Sequence, residues 1–207
     1  MNQLVMRYMS LSDVNDVVAI DRVAFDLPWS DRSYHYEVSE STYSHMVTLE
    51  YTDETQPVGW WRRLWSRNGR VPKPHVVGYG GLWRIVDEAH ISTIATHPQW
   101  RGRGWGELLL AGMIRRSLTL GAAYIVLEVR VGNAVAQHLY RKYEFEVAGV
   151  KPNYYRNNSE DAYDMRLNLA DAGIVARFRQ RFAALQARHQ FVDTYSDVPS
   201  PRGSNSA

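Results

Sequence analysis

The sequence predicts an α/β or α+β domain built around one mixed, mostly antiparallel sheet. Short apolar runs typical of strands alternate with segments whose apolar residues recur at helical spacing. Capping residues precede the helical segments, and Gly or Pro follows several of them. The predicted order is β-α-α-β-β-β-α-β-α-β-β, with one more helix at the end. With 207 residues, 45% of them hydrophobic, the chain can form a core, which excludes a wholly disordered protein.

The predicted strands are apolar runs bounded by turn residues. They cover residues 4–9, 45–51, 75–85, 89–96, 124–131, 147–150 and 163–169. Each predicted helix begins at a residue that can cap it and carries an apolar stripe. The helices cover residues 12–25, 30–39, 104–120, 133–143 and 171–190. Pro28 ends the first of these, and Gly121 ends the third.

The domain organisation follows from shifts in composition. Residues 1–169 are predicted to form one domain, interrupted at 52–75 by an insert rich in Pro, Gly and Trp. Residues 170–192 are predicted to form an amphipathic C-terminal helix. Residues 193–207 are rich in Ser, Pro, Gly and Asn, and we expect a disordered tail there.

Composition excludes several classes of site. The chain has no cysteine, so disulfide scaffolds, thiolate zinc sites and cysteine nucleophiles are excluded, and we expect no bound metal. No signal peptide or membrane-spanning run is visible, which favours a cytoplasmic location. The net charge of +2 is unevenly distributed, because residues 55–75 carry +5, residues 171–190 carry +3, and the remainder carries −6.

The most specific motif is a glycine-rich loop between a predicted strand and a predicted helix, Arg101-Gly-Arg-Gly-Trp-Gly106. Glycines expose backbone N–H groups to a ligand, and a helix N-terminus favours negative charge, so the loop suits a pyrophosphate. It has neither the lysine of a Walker loop nor the spacing of a Rossmann fingerprint. The alternative is a flexible strand-to-helix turn without a ligand.

Arg101-x-x-Gly104-x-Gly106 after a strand resembles the acetyl-CoA loop of the GNAT acetyltransferase family. Five further segments are similar to the RimI branch, bacterial enzymes that acetylate the N-terminal alanine of ribosomal protein S18. These segments are Leu27-Pro-Trp-Ser30, Leu127-Glu-Val-Arg-Val-Gly-Asn133, Ala136-Gln-His-Leu-Tyr-Arg-Lys-Tyr-Glu-Phe145, and Asn153-Tyr-Tyr155 with Asp161-Ala-Tyr-Asp-Met-Arg-Leu167. The likeness covers roughly residues 3–169, and the insert and the segment after 169 depart from it.

The resemblance implies a GNAT fold whose sheet is splayed at the acetyl-CoA site. Acetyl-CoA is then the co-substrate, and the residues expected to bind it are Ile94, Ala95, Thr96, Arg101, Gly102, Arg103, Gly104, Trp105, Gly106, Glu107 and Asn133. Asn133 also fits a helix cap, and the two roles can coexist. Arg141 and Lys142 either reach the 3′-phosphate of CoA or lie in solvent.

Two residues are candidates for proton transfer. Glu128 interrupts an apolar strand, where a carboxylate is costly unless it is hydrogen-bonded. From the sequence alone it could instead face solvent or pair with Arg130. The resemblance implies that Glu128 is the base, that Tyr140 protonates the departing CoA sulfur, and that transfer is direct, without an acyl-enzyme. For Tyr140 the alternative is an aromatic residue packed in the core.

The resemblance places the acceptor between two walls, formed by Pro28 and Trp29 and by Tyr154 and Tyr155. The expected acceptor is the N-terminal amine of a protein, with ribosomal protein S18 as the candidate. Two other classes of function stay open. The fold could acetylate a small-molecule amine or a lysine side chain, or it could be a non-catalytic module that binds CoA or RNA.

The insert combines basic and aromatic residues. Residues 55–75 hold five basic residues, no acidic ones and three tryptophans. This composition suits RNA, a membrane surface or an acidic protein as a partner. The alternative is a flap whose tryptophans pack on the domain while its arginines face water.

Overall fold

The computed structural model describes residues 3–52 and 75–201, and it contains one mixed sheet of eight strands. The predicted mixed, mostly antiparallel sheet is confirmed. The strands are β1 Gln3–Tyr8, β2 Val47–Thr52, β3 His75–Ile85, β4 Glu88–Thr96, β5 Tyr124–Arg130, β6 Glu146–Tyr155, β7 Glu160–Asn168 and β8 Val192–Thr194. Their order across the sheet is β6-β7-β5-β4-β3-β2-β1-β8. Only β4–β5 and β1–β8 are parallel pairs among these strands.

Helices cover both faces of the sheet. They are α1 Val14–Ala24, α2 Asp31–Ser39, α3 Trp105–Thr119, α4 Ala134–Lys142 and α5 Ala172–His189. The side chains of α1 and α2 form one buried cluster with Tyr79 of β3 and Ala95 of β4. A larger cluster joins α3 and α5 to the other side of the sheet. No helix of the described residues is long and apolar enough to cross a membrane.

The sequence places most helix starts correctly because the capping side chains act locally. Ser30 accepts a hydrogen bond from the backbone N–H of Ser33, and Asn133 accepts one from that of Ala136. Asp171 accepts two, from Gly173 and Ile174. Each bond satisfies a donor that the first helical turn leaves without a partner.

Glycine in β3 lets α3 lie close to the sheet. A Cβ built on Gly80 would lie 2.8 Å from Sδ of Met113, and one on Gly78 would lie 2.9 Å from the side chain of Leu109. Both distances are shorter than real Cβ contacts, so a larger residue would force the side chains of Met113 and Leu109 to move. The close approach fixes the position of α3, whose N-terminus follows the glycine-rich loop.

The tail prediction is wrong for residues 193–201. β8 pairs with the edge strand β1, with Val5 opposite Val192 and Arg7 opposite Thr194. Tyr195 then enters the core with 0% exposure, and its hydroxyl donates to the carbonyl of His45 at 2.9 Å. The composition of this segment is typical of disorder. Pairing with the free edge of β1 and burial of the Tyr195 ring nevertheless stabilise an ordered conformation.

The C-terminal helix belongs to the main core. Phe178, Phe182 and Leu185 of α5 are at most 4% exposed. Arg177 and Arg181 of the same helix each form an ion pair with Glu144, at 2.6 Å. The basic residues of this helix are therefore partly neutralised within the chain. The predicted insert, by contrast, lies outside the described residues except at its two ends.

Truncation of Tyr195 tests whether the C-terminal segment supports the fold. Tyr195→Ala removes a fully buried ring that lies 4.9 Å from the ring of Tyr8. We expect the free energy of unfolding to fall by about 3–5 kcal/mol, as for large aromatic truncations in cores. Urea denaturation measures it. A loss below about 0.5 kcal/mol, as at exposed positions, would contradict the buried placement.

Candidate active site

The site begins where two neighbouring parallel strands separate. β4 and β5 pair at only three positions, the last of which joins His90 to Val126. Beyond this point β4 stays paired with β3 as far as Thr96, and β5 stays paired with β7 as far as Arg130. The sheet is therefore open between β4 and β5, with unpaired backbone groups on the facing edges.

A cavity of about 410 Å³ lies at this opening. Residues 91–94 of β4 and 127–130 of β5 line its two sides. Its remaining walls come from the end of α1 and the segment that follows it, from α4 and its capping residue, and from the end of β6: Asp21, Ala24, Phe25, Asp26, Leu27, Trp29, Asn133, Ala136, Tyr140, Tyr154 and Tyr155. Both candidates for proton transfer line this cavity.

The carboxylate of Glu128 is held by two donors. Oε2 lies 2.8 Å from Nε2 of His90, and Oε1 accepts a hydrogen bond from Nζ of Lys151 at 2.5 Å. The side chain is 11% exposed, so Glu128 does not simply face solvent. It does not pair with Arg130 either, because that guanidinium pairs with Glu160 at 2.9 Å and with Asp26 at 3.6 Å.

These contacts determine the ionisation of Glu128. Burial by itself would raise the pKa of the carboxyl, since it disfavours the charged form. The hydrogen bonds from His90 and Lys151 act in the opposite direction and prevail, and they lower the pKa to about 2. Lys151 also lies 3.8 Å from Asp164, the residue opposite Glu128 on β7. Glu128 is therefore anionic throughout the physiological pH range.

Tyr140 lies on α4 and lines the same cavity. Its side chain is buried, at 6% exposure, and it contacts Phe145 at a ring distance of 5.8 Å. Burial, with a smaller contribution from Tyr155, raises the pKa of its hydroxyl. The hydroxyl forms no hydrogen bond with the described residues. Tyr140 thus packs in the core and also presents a protonated hydroxyl to the cavity.

The glycine-rich loop has the backbone conformation that an anion site needs. Gly102 and Gly104 have φ values of +76° and +80°, which other residues rarely adopt. Gly104 is the residue before α3, and no side chain caps this helix. The first N–H groups of α3 therefore remain available to phosphate oxygens, so the loop fits the pyrophosphate of acetyl-CoA.

Several side chains of this loop are engaged within the protein. Trp105 is 7% exposed and stacks on Trp100 at 5.2 Å, and the guanidinium of Arg103 lies 4.7 Å over the ring of Trp100. Glu107 accepts hydrogen bonds from Lys142 at 2.6 Å and from the hydroxyl of Tyr143 at 2.9 Å. The loop thus offers a ligand its backbone more than its side chains.

The predicted acceptor walls mostly meet at the same cavity. Trp29, Tyr154 and Tyr155 line it, and Leu27 takes the place expected for its neighbour Pro28. Tyr154 and Tyr155 lie in β6 itself, which extends to Tyr155 and is longer than the predicted strand. Their rings meet edge to face at 5.2 Å, and Arg130 lies 3.8 Å over the ring of Tyr155.

Comparison with known proteins identifies the family. The model of the acetyltransferase (GNAT) family matches residues 15–145, more than half of the chain. The chain belongs to the GNAT acetyltransferase family. The match includes the glycine-rich loop, Glu128 and Tyr140, and it makes the chain an acetyl-CoA-dependent N-acetyltransferase.

Individual relatives agree with this GNAT assignment. A candidate ribosomal protein bS18-alanine N-acetyltransferase of Bacillus subtilis is 33% identical over 160 residues, which cover 77% of this chain and 92% of that protein. The crystal structure of the ribosomal-protein-S18-alanine N-acetyltransferase of Escherichia coli superposes with a TM-score of 0.64 and 25% identity, over 83% of this chain and 96% of that one. The structure of Arabidopsis thaliana NAA60 in complex with acetyl-CoA has a TM-score of 0.64 at 15% identity, over 82% of this chain and 100% of that one. At that identity it shows the shared GNAT fold.

The structure brings seven predicted residues of this GNAT site to the cavity, namely Trp29, Ile94, Glu128, Asn133, Tyr140, Tyr154 and Tyr155, whereas the residues of the glycine-rich loop are not among its lining residues. At the C-terminal end of β4, Ile94 lines the cavity. The next two residues, Ala95 and Thr96, pair with β3 and lead towards the loop. Sequence reasoning missed His90, Lys151 and Asp21. His90 and Lys151 are polar residues inside strands, and that pattern could have marked them as candidates. The sequence does not show which residues of other strands lie beside them.

Replacement of Lys151 tests the electrostatics of Glu128. Lys151→Met removes one of the two groups that lower the pKa, so we expect the pKa of Glu128 to rise from about 2 towards its ordinary 4.5. Carboxyl-carbon NMR titration measures it directly. Lys142→Met, which removes the partner of Glu107 instead, is the matched control.

The same change affects stability against pH in a defined direction. A folded-state pKa below the unfolded value stabilises the fold above pH 4.5, and the contribution is lost as pH falls towards 2. The free energy of unfolding should therefore decrease less between pH 6 and pH 3 in Lys151→Met than in the native chain. Urea unfolding at the two pH values measures this difference. An unchanged pKa in the variant would show that Lys151 does not determine the ionisation of Glu128.

Proposed function

We propose that this chain is an Nα-acetyltransferase that transfers acetyl from acetyl-CoA to the N-terminal amine of a protein. The observation that carries the proposal is the shared cavity at the opening of the sheet. An anionic Glu128, a protonated Tyr140 and aromatic walls line it together, and the glycine-rich loop follows β4 after one short turn at Pro98–Trp100. Bound acetyl-CoA would supply the reactive thioester.

On the acetyl-CoA side, the backbone holds the ligand. The N–H groups at the start of α3 bind the pyrophosphate, together with the loop from Arg101 to Gly106. The open edge of β4 at Ile94 offers backbone groups that align the pantetheine, as an added strand would pair. Asn133 caps α4 at the border of the cavity and keeps Tyr140 in position.

On the acceptor side, Glu128 orients the amine. A free α-amine has a pKa of about 7.7–8.0, so it arrives mostly as an ammonium. A carboxylate with a pKa of about 2 does not store the proton. In place of the base expected from the resemblance, we propose that Glu128 is a fixed negative charge that binds the ammonium and the water molecule that takes up its proton. Tyr140, which stays protonated at neutral pH, would donate its proton to the sulfur as the thioester C–S bond breaks, and the second proton lost by the attacking nitrogen would restore the hydroxyl through water.

The relatives point to a ribosomal acceptor. The proteins from Bacillus subtilis and Escherichia coli are both named for the N-terminal alanine of ribosomal protein S18. We propose S18, or another protein with a small first residue, as the acceptor here, and the cytoplasm as the place of action. Aromatic walls from Trp29 and Tyr155 suit the flat backbone of a peptide terminus.

Neutralisation of Glu128 tests the proposed chemistry. For Glu128→Gln we expect kcat on an Ala-starting peptide to fall about 10²–10³-fold, because the charge that orients the amine is lost. Mass spectrometry of the peptide and release of CoA measure it. Glu144→Gln is the matched control, because Glu144 also has a pKa of about 2 and two cationic partners, but lies outside the cavity.

The acceptor class is tested in the same assay. Full activity of Glu128→Gln would refute the role of Glu128. A native chain that acetylates polyamines or lysine side chains faster than peptide N-termini would refute the acceptor.

The phosphate loop gives a separate prediction about acetyl-CoA. In Gly104→Ala, a Cβ enters a position with φ +80° and lies 3.2 Å from Nε2 of His189, so the loop must shift. We expect the Kd of acetyl-CoA to rise about tenfold, measured by calorimetry, which corresponds to ~1.4 kcal/mol. Gly121→Ala is the control, since φ is +70° there but the space is open. Equal affinities in both variants would contradict a role for the loop.

A further inference from the structure

Three buried side chains form a hydrogen-bonded chain behind the cavity. The hydroxyl of Tyr34 donates to that of Tyr79 at 3.0 Å, and the hydroxyl of Tyr79 donates to Oδ1 of Asp21. Both tyrosines are 0% exposed, and Asp21 is 1% exposed. The chain connects α2, β3 and α1, so it runs across the layer between the helices and the sheet.

Asp21 uses its second oxygen to hold the acceptor wall. Oδ2 accepts a hydrogen bond from the backbone N–H of Trp29 at 2.6 Å. The indole of Trp29 contacts two other rings, at centroid distances of 5.4 Å from Tyr34 and 6.2 Å from Trp83. Trp29 is thus held through its backbone and through two ring contacts, and it lines the cavity.

Tyr79 is the residue on which this arrangement depends. Asp21 forms no ion pair with the described residues, so its buried charge is satisfied by neutral donors. A buried carboxylate that loses such a donor bears the cost of its desolvation. Without the hydroxyl of Tyr79, Asp21 would turn towards water in the cavity that it lines, and the bond to Trp29 would weaken.

We propose that Tyr79 is a positioning residue which, acting through Asp21, fixes the Trp29 wall and restricts the acceptor to peptides with a small first side chain. The inference rests on the proposed function and adds the origin of its selectivity. Tyr79 does not line the cavity, so its effect on selectivity is indirect.

The test compares Tyr79→Phe with a matched control. The assay uses peptides that differ only in the first residue, Ala or Leu, and measures the ratio of their kcat/KM values. We expect Tyr79→Phe to lower the Ala-to-Leu ratio about tenfold, a size-discrimination effect within the range of apolar pockets. Tyr195→Phe also loses a buried hydroxyl, the one bonded to His45, but at the far edge of the sheet, and should keep the native ratio.

A second measurement separates positioning from general loosening. Hydrogen exchange at the backbone N–H of Trp29 should become faster in Tyr79→Phe and stay slow in Tyr195→Phe, while the Kd of acetyl-CoA stays unchanged in both. If Tyr79→Phe does not fold, Asp21→Asn replaces it, because it keeps the side-chain volume and weakens the charge-assisted bond to Trp29. The same drop in ratio is expected.

The outcomes distinguish the two proposals. A native chain that prefers Ala and a Tyr79→Phe variant with the same ratio would overturn the inference and leave the proposed function standing. An equal drop in Tyr195→Phe would also overturn it, since the effect would then be nonspecific. A native chain that acetylates no peptide would overturn the proposed function and the inference with it.

Discussion

The separation of β4 from β5 is the constraint on which the site depends. Two parallel strands that pair at only three positions leave a gap in an otherwise continuous sheet. Unpaired backbone groups inside a protein are costly unless a ligand or water satisfies them, so such a gap marks a place for a ligand. Each strand is held from its outer side, β4 by β3 and β5 by β7, and the gap therefore does not close.

The site also depends on two carboxyl groups, those of Glu128 and Asp21, whose oxygens accept hydrogen bonds from other parts of the chain. Glu128 lies on β5 at the gap, and donors from β4 and β6 satisfy both of its oxygens. Asp21 lies behind the acceptor wall, and a tyrosine and a backbone N–H satisfy it. The first arrangement stabilises a charge that faces the cavity, and the second uses a charge to hold a loop. Strands β4 and β6 supply both partners of Glu128, and β3 supplies one partner of Asp21, which ties the chemistry of the site to the register of the sheet.

Sequence reasoning succeeded where local signals decide the structure. The caps at Ser30, Asn133 and Asp171 act within one turn, and apolar periodicity is a property of short segments. It failed at Tyr195, whose neighbours in sequence look disordered but whose burial depends on β1, nearly the whole chain away. It also left Glu128 undecided between solvent, Arg130 and a catalytic role, because the partners of a strand residue lie on other strands.

The sequence by itself determined the strand and helix order, the glycine-rich loop at the start of a helix, and the identity of Glu128 and Tyr140 as the candidate pair. The first two depend on periodicity and on glycine conformation, and the pair follows from the resemblance of the surrounding motifs to the GNAT family. Only the tertiary structure decided that His90 and Lys151 hold Glu128, that Tyr79 and Asp21 hold Trp29, and that the C-terminus completes the sheet. Such contacts join residues far apart in sequence, and their energy depends on burial and register, which no local pattern encodes.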